Sequence, residues 1–341
     1  MNQARNRLSC VITTIQRPTE SVRRLALRLV AINAPLIVVG DKKGPPDYDL
    51  VGAQFLSLAE QLASDFELAG RLPIAHYARK NLGYLKAISQ GASCIYETDD
   101  DNAPLDGWEP RAETVEAIPL GARDWVNVYR MFSTERIWPR GFPLDAVSDS
   151  FSNLPNPADE PVPVQAPIQQ GLVNNSPDVD AIWRLALDQQ FDFQSGPSVL
   201  LPRGVWCPFN SQSTWWFPVA YPLMYLPSHC SFRMTDIWRS FIAQRCLWEL
   251  DLGIVFHAAE VVQERNEHDL MRDFKDEMPG YLGNKAMVSV LASLRLVKGE
   301  SNTGRNLLAC YEALIEAQFF PEQELDLVHA WLSDLNRMNS N

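Results

Sequence analysis

The residues best suited to chemistry stand where a short apolar run ends. Ala92 to Tyr96 leads straight into Glu97, Asp99, Asp100 and Asp101, with Asn102 next. A buried strand that ends in a carboxylate cluster is costly unless positive charge meets it there. Hard divalent cations such as Mg²⁺ or Mn²⁺ meet that need, since they take oxygen ligands and keep positions open for phosphate oxygens. The spacing Asp99-x-Asp101 puts both carboxylates on one side of an extended strand end. The competing reading is a solvated acidic turn that caps a following helix.

Two further clusters bear on the choice. His76-Tyr77-Ala78-Arg79-Lys80-Asn81 leads into a helix, Leu82 to Gln90, immediately before the acidic strand. Two cations and an amide at a helix start make a seat for phosphate, because free N–H groups and the helix dipole add to the charges. The plainer alternative is a pair of exposed basic residues. Asp236 lies ahead of a mostly apolar helix, Ile237 to Glu249. It reads either as an N-cap or as a general base taking a proton from an acceptor hydroxyl. Ser176 or Asp178 caps a helix from about Val179 with Asp180 in its first turn, which accounts for both aspartates. His257, at the end of a strand over Leu252 to Ala258, and His268, in a charged segment, are the histidines that could close a metal site.

The elements that would position these groups open as β-α-β. Leu8 to Ile15 is a compact β-branched strand, and Thr19 caps a helix over Val22 to Ile32. Leu36 to Val39 is a second strand, ending at Gly40-Asp41. In open α/β sheets ligands bind at the carboxyl ends of strands. Thr13, Thr14 and Asp41 therefore face one crevice, with Arg17 just beyond the first strand. Gln54 to Phe66 reads as a helix, Trp125 to Arg130 and Val199 to Pro208 as strands. Residues 150 to 177, rich in Pro, Ser and Asn, read as a long loop lying on the domain. Trp215 to Tyr225 is either core or an aromatic platform for stacking. From Asp269 onward the pattern is helical: Leu270 to Met278, Lys285 to Lys298, Leu307 to Phe319 and Pro321 to Met338.

Bulk composition narrows the function classes. With 341 residues and 46% hydrophobic content the chain can bury a full core. A net charge of −12 argues against non-specific nucleic-acid binding and against an anionic membrane surface. A phosphate-bearing substrate must then be received by local basic groups or a metal. Six cysteines without paired spacing read as reduced core residues. No apolar run approaches the roughly 18 residues of a membrane span, and the N-terminus has no signal-peptide pattern. The expectation is a soluble cytoplasmic chain without an integral membrane segment.

The linked strings CVITTI, GDKK, HYARKNLGYLKAI, ETDDDN, IWPRGFPL, NNSPDVDAIWRL and RMTDIWR resemble the STELLO-type glycosyltransferases, and more distantly the reversibly glycosylated, UDP-arabinose mutase-like proteins. The resemblance runs over roughly residues 8 to 280. It implies an α/β fold with a GT-A (Rossmann-like) nucleotide-sugar domain, assigned here to residues 1–268, and the helical pattern makes residues 269–341 a C-terminal cap. It further implies that Asp99 and Asp101 hold Mn²⁺ or Mg²⁺, to which the reading of the residues themselves adds His257 or His268. The donor would lie against Thr13, Thr14, Arg17, Asp41, Arg79, Lys80, Asn81 and Asp100. Asp236 would be the base of an inverting transfer. The expected partners are a nucleotide-sugar donor, probed first as a UDP sugar, and a carbohydrate or lipid-linked acceptor. Peripheral association with polysaccharide machinery is a further expectation. The plant members carry a membrane anchor and an additional region that this sequence is expected to lack. Golgi residence and a cellulose-synthase partner therefore do not carry over, and a bacterial polysaccharide-building enzyme is expected. Two other classes use the same residues: a nucleotide-sugar mutase or self-glycosylating protein, and a non-catalytic scaffold for a synthase.

Overall fold

The computed structural model describes residues 7–121, 124–153, 158, 160–187, 189–264 and 269–339. Eleven strands form one sheet: β1 (Leu8–Thr13), β2 (Leu36–Val39), β3 (Ala53–Leu56), β4 (Cys94–Thr98), β5 (Asn102–Pro104), β6 (Thr114–Pro119), β7 (Val162–Gln165), β8 (Ile168–Asn174), β9 (Val199–Leu201), β10 (Ser213–Trp216) and β11 (Ile254–Gln263). Their spatial order is β3-β2-β1-β4-β10-β8-β11-β9-β6-β7, with β5 paired to β11. The first four strands are mutually parallel, and β10 enters antiparallel to both β4 and β8. The sheet is therefore mixed, with a parallel half whose carboxyl ends all open on one edge.

The helices are α1 (Glu20–Ala31), α2 (Leu58–Leu62), α3 (Lys80–Ser89), α4 (Leu144–Ser152), α5 (Ala181–Leu187), α6 (Thr235–Leu247), α7 (Leu270–Ser293), α8 (Thr303–Glu316) and α9 (Gln323–Asn339). As expected, Thr19 caps α1, its hydroxyl accepting from the Val22 N–H at 3.1 Å. Valines and isoleucines of β1 and β2 are buried on both faces, which is what a parallel strand covered by helices requires. One large cluster of buried side chains runs from Val11 and Ile95 of the sheet through Trp238 of α6 to Leu314 and Trp331 of α8 and α9. The C-terminal helices thus share the core of the sheet. No described helix is long and apolar enough to cross a membrane. All six cysteines are free thiols, five of them buried.

Several expected elements differ. The helix expected over Gln54 to Phe66 is instead β3 followed by the short α2, whose start is fixed by a Ser57–Glu60 capping box. Trp125 to Arg130 is not a strand. A single bridge joins Trp125 to Trp206, and a 3₁₀ turn follows over Val128–Met131. The supposed loop of residues 150–177 contains β7 and the central strand β8. Gln169 and Gln170 hide that strand from a hydrophobic pattern, yet both are buried with their amides bonded to carbonyls. Helix α7 runs unbroken through Pro279, where two helices with a gap were expected. Gly280 there lets Met234 approach so closely that a Cβ would sit 2.2 Å from its sulfur. The aromatic run Trp215 to Tyr225 is core, split between β10 and a 3₁₀ turn over Pro218–Met224.

Candidate active site at the strand ends

A cavity of about 570 Å³ opens at the carboxyl ends of β1, β2 and β4. It is lined by six carboxylates: Asp41, Asp99, Asp100, Asp101, Asp178 and Asp236. Three cationic side chains face them, Lys43, Arg140 and Arg233. Arg140 is bound in bidentate fashion to both Asp178 and Asp236, and Arg233 pairs with the buried Glu277 at 2.7 Å. His76 also lines the cavity, but burial holds its pKa below the ordinary value. The cavity therefore holds an excess of negative charge.

The acidic triplet is set by a turn. β4 stops at Thr98, and the Asn102 N–H closes back on the Asp99 carbonyl at 3.3 Å. Strand alternation is thus not what brings Asp99 and Asp101 together, although both do reach the cavity. Asp100 is tied to the first strand and helix, its carboxylate accepting from the Thr14 hydroxyl and its carbonyl from the Thr19 hydroxyl at 2.5 Å. Asp99 accepts from Lys80 Nζ at 3.1 Å and from the Tyr77 hydroxyl at 3.3 Å. One oxygen of Asp101 accepts from Gln263 at 3.0 Å, while the other is buried without a partner among the described residues. Burial, then the neighbouring charges of Asp99 and Asp100, push the Asp101 carboxyl up to about 7. The alternative of a solvated turn capping a helix does not hold, because β5 follows and the carboxylates face a cavity.

Among the remaining expected site residues, Thr13, Thr14 and Asp41 do line the cavity. Asp41 accepts from the Ala75 and His76 N–H groups at 2.9 and 2.8 Å, holding the turn in which Ala75 takes φ +57°. Arg79, Lys80 and Asn81 are fully buried and absent from the cavity wall, so a phosphate seat at the start of α3 is not formed. Arg79 donates to Gln61 at 2.6 Å and to the Leu72 carbonyl at 3.2 Å. Asn81 pairs with both the N–H and the carbonyl of Leu226 at 2.8 Å. Lys80 acts from beneath the surface: burial disfavours its charge, but Asp99 above all outweighs this and raises its pKa. Arg17 points outward, 3.9 Å from Asp47 with both side chains largely exposed.

His257 is also displaced from its expected role. The last strand runs on to Gln263, so Gln263 and not His257 reaches the cavity. His257 is buried mid-strand, with Nδ1 2.6 Å from Ser198 and Nε2 3.0 Å from Gln169. Burial and then Arg111 hold its pKa well below the usual value. His268 lies outside the described residues. Glu97 does not belong to the site. It is fully buried against Arg239 at 2.6 and 3.0 Å and Trp216 at 3.0 Å, with Tyr84 also bonded to it.

Asp236 is the second residue of α6 and not its N-cap, which is Met234. Burial disfavours its charge, yet Arg140 more than offsets this and holds its pKa below the ordinary carboxylate range. The cap expected at Ser176 or Asp178 is instead Asp180, which caps α5 through the Trp183 N–H at 2.8 Å and accepts from Trp138 at 2.6 Å, because the helix starts at Ala181 and not near Val179. Asp178 instead reaches Arg140. The site residues that sequence reasoning missed are Arg140, Tyr77, Ser211 and Gln263. Arg140 and Tyr77 lie inside the quoted strings IWPRGFPL and HYARKNLGYLKAI. Ser211 and Gln263 carry no local signal.

A Rossmann-like α/β sheet with a ligand-sized cavity at its strand ends defines the class of protein. The sequence model of the STELLO glycosyltransferases matches residues 233–341, which include Asp236 and helices α6 to α9. Over 347 aligned residues the chain is 30% identical to Probable glycosyltransferase STELLO1 of Arabidopsis thaliana, covering 95% of this chain and 44% of that protein. It is 30% identical over 349 residues to Probable glycosyltransferase STELLO2 of the same plant, with the same coverage. The resemblance drawn from the motifs therefore extends along nearly the whole chain. The chain spans less than half the length of these curated relatives.

Whether a divalent cation fits can be judged from the residues present. Among the described residues no three His, Cys, Asp or Glu side chains converge as a complete cage. Asp99 and Asp101 nonetheless share one turn, and one Asp101 oxygen is buried with no partner among those residues. That donor set suits a hard cation that takes its other ligands from a bound phosphate group and water.

Proposed function

We propose that the cavity is the donor site of a metal-dependent glycosyltransferase with a GT-A-like domain, moving a sugar from a nucleotide-sugar to a glycan or lipid-linked acceptor. One observation carries this reading. Six carboxylates line the cavity while two of its three cations are already paired, and a buried Asp101 oxygen has no partner among the described residues. A nucleoside diphosphate could not enter such a field without a divalent cation on Asp99 and Asp101. The cation would supply Lewis-acid stabilisation of the departing diphosphate.

The chain's own residues have separable roles. Thr13, Thr14 and Asp41 form the wall at the ends of β1 and β2, where the nucleoside would lie. Burial raises the pKa of Asp99, and Lys80 beneath it opposes that rise and orients the carboxylate towards the cavity. Lys43 adds the one cavity cation without an ion pair among the described residues. Asp236 stands on the α6 side, gripped by Arg140, and would accept a hydrogen bond from the acceptor hydroxyl. The same grip lowers its basicity, so it orients and polarises the nucleophile more than it removes a proton. In an inverting transfer Asp236 would be the acceptor-side carboxylate, with Asp178 holding the other face of Arg140.

The direct test is turnover. The purified chain, supplied with Mn²⁺ and a panel of UDP sugars, is expected to release UDP, slowly with water and faster with a suitable glycan. Release without any divalent cation, or an undiminished rate in Asp101→Asn, would count against the proposal.

A further inference from the structure

Between the two carboxylate groups of the cavity lies a pair of hydroxyls. The Tyr77 hydroxyl is 3.3 Å from Asp99 and 2.5 Å from the Ser211 hydroxyl. Ser211 in turn is 3.4 Å from Asp236, which also accepts from the Ser211 N–H at 3.3 Å. Lys80 donates into the Tyr77 oxygen from below at 3.1 Å. The chain of contacts is thus Asp99, Tyr77, Ser211, Asp236.

Each hydroxyl has one hydrogen to give, and an ionised carboxylate has none. Two hydrogens must therefore serve three contacts. If Tyr77 donates to Asp99 and Ser211 donates to Asp236, the 2.5 Å contact between the two hydroxyls has no hydrogen, and two lone pairs face each other. Two arrangements remain. In one, Ser211 donates to Tyr77 and Tyr77 to Asp99. In the other, Tyr77 donates to Ser211 and Ser211 to Asp236.

We propose that Tyr77 and Ser211 are positioning residues that form a reversible hydrogen-bond link, through which loading of Asp99 is sensed at Asp236. This rests on the reading of Asp99 to Asp101 as the cation and diphosphate site. A cation bound at the acidic turn draws on the same Asp99 carboxylate that Tyr77 uses. It favours the arrangement in which both hydroxyls point towards Asp236. Asp236 then gains the Ser211 hydroxyl hydrogen, beyond those it always accepts from Arg140 and the Ser211 N–H, only when the donor half of the site is filled.

The test is Mn²⁺-dependent UDP affinity by calorimetry in the wild type, Ser211→Ala, Tyr77→Phe and the double variant. Ser211 is uncharged and does not touch Asp99, so no through-space charge effect confuses the result. Without Ser211 the Tyr77 hydrogen has only Asp99 to bind and competes with the cation. Ser211→Ala should therefore weaken Mn²⁺–UDP binding about fivefold, the lower end of ordinary site-to-site coupling. In the Tyr77→Phe background the same substitution should change nothing. Ser211→Gly provides a second removal of the hydroxyl and should behave alike, whichever variant folds better. An equal loss in both backgrounds, or no loss in either, overturns the link while leaving the donor site standing. Absence of Mn²⁺–UDP binding in the wild type overturns the donor reading and this inference with it.

Discussion

Glu97 and Asp101 lie four positions apart, and the protein treats them in opposite ways. Glu97 sits on β4 with two bonds from Arg239, one from Trp216 and one from Tyr84. Every lone pair has a donor, and nothing about it invites a ligand. Asp101 sits just past the strand end with one bond from Gln263 and one buried oxygen that meets no partner among the described residues. The difference separates a carboxylate that holds the fold from one that awaits a partner. Acidity in the sequence is the same for both, and only the surrounding donors tell them apart.

This contrast can be broken at either end. The largest effect is expected from Glu97→Gln, which strands the guanidinium of Arg239 in the core. Removing one partner of a buried pair costs about 3–5 kcal/mol, to be read from urea denaturation. A loss under about 1 kcal/mol, the scale of an exposed pair, would mean that Glu97 is not the structural carboxylate described here.

Asp101→Asn should go the other way. A carboxyl raised to about 7 in the fold, from an ordinary value near 3.8, binds protons more tightly folded than unfolded. Its contribution to stability is complete below pH 3.8 and is lost as pH rises through 7. In the absence of ligand Asp101→Asn is therefore expected to raise the Tm at pH 8 and to change it little at pH 4. Asp236 has the opposite sign, since Arg140 holds its pKa low. The stability it contributes is present above its unfolded value and falls away as pH drops below that.

Smallest of all should be Arg17→Ala. The exposed pair with Asp47 is expected to contribute roughly 0–0.5 kcal/mol, within the range of surface ion pairs. UDP affinity should also be unchanged, because Arg17 does not line the cavity. A clear loss of affinity would restore Arg17 to the donor site.

The parts of the fold legible in the sequence were those built on local pattern. The β-branched runs of β1 and β2, the Thr19 cap and the apolar run ending in Asp99 to Asp101 all carry their own signals. The same patterns placed Thr13, Thr14 and Asp41 at the cavity. What failed depended on distant partners. Arg79 and Asn81 look like surface groups at a helix start, but Gln61 and Leu226 bury them. Gln169 and Gln170 read as loop because the partners that bury their amides include the carbonyls of Ala112 and Ser213, far away in the sequence. Arg140 could not be assigned to Asp178 and Asp236 because the three come together only in the folded chain. The sequence pattern ends the last strand at Ala258, five residues before the true end at Gln263, and so puts His257 at a strand end where it does not lie.

The most direct test of the central claim is calorimetry of UDP with and without Mn²⁺, on the wild type and Asp101→Asn. The account predicts binding to the wild type only when Mn²⁺ is present, and an affinity at least about tenfold weaker in the variant, a difference of about 1.4 kcal/mol. Equal UDP affinity with and without Mn²⁺, or in the wild type and Asp101→Asn, would contradict it.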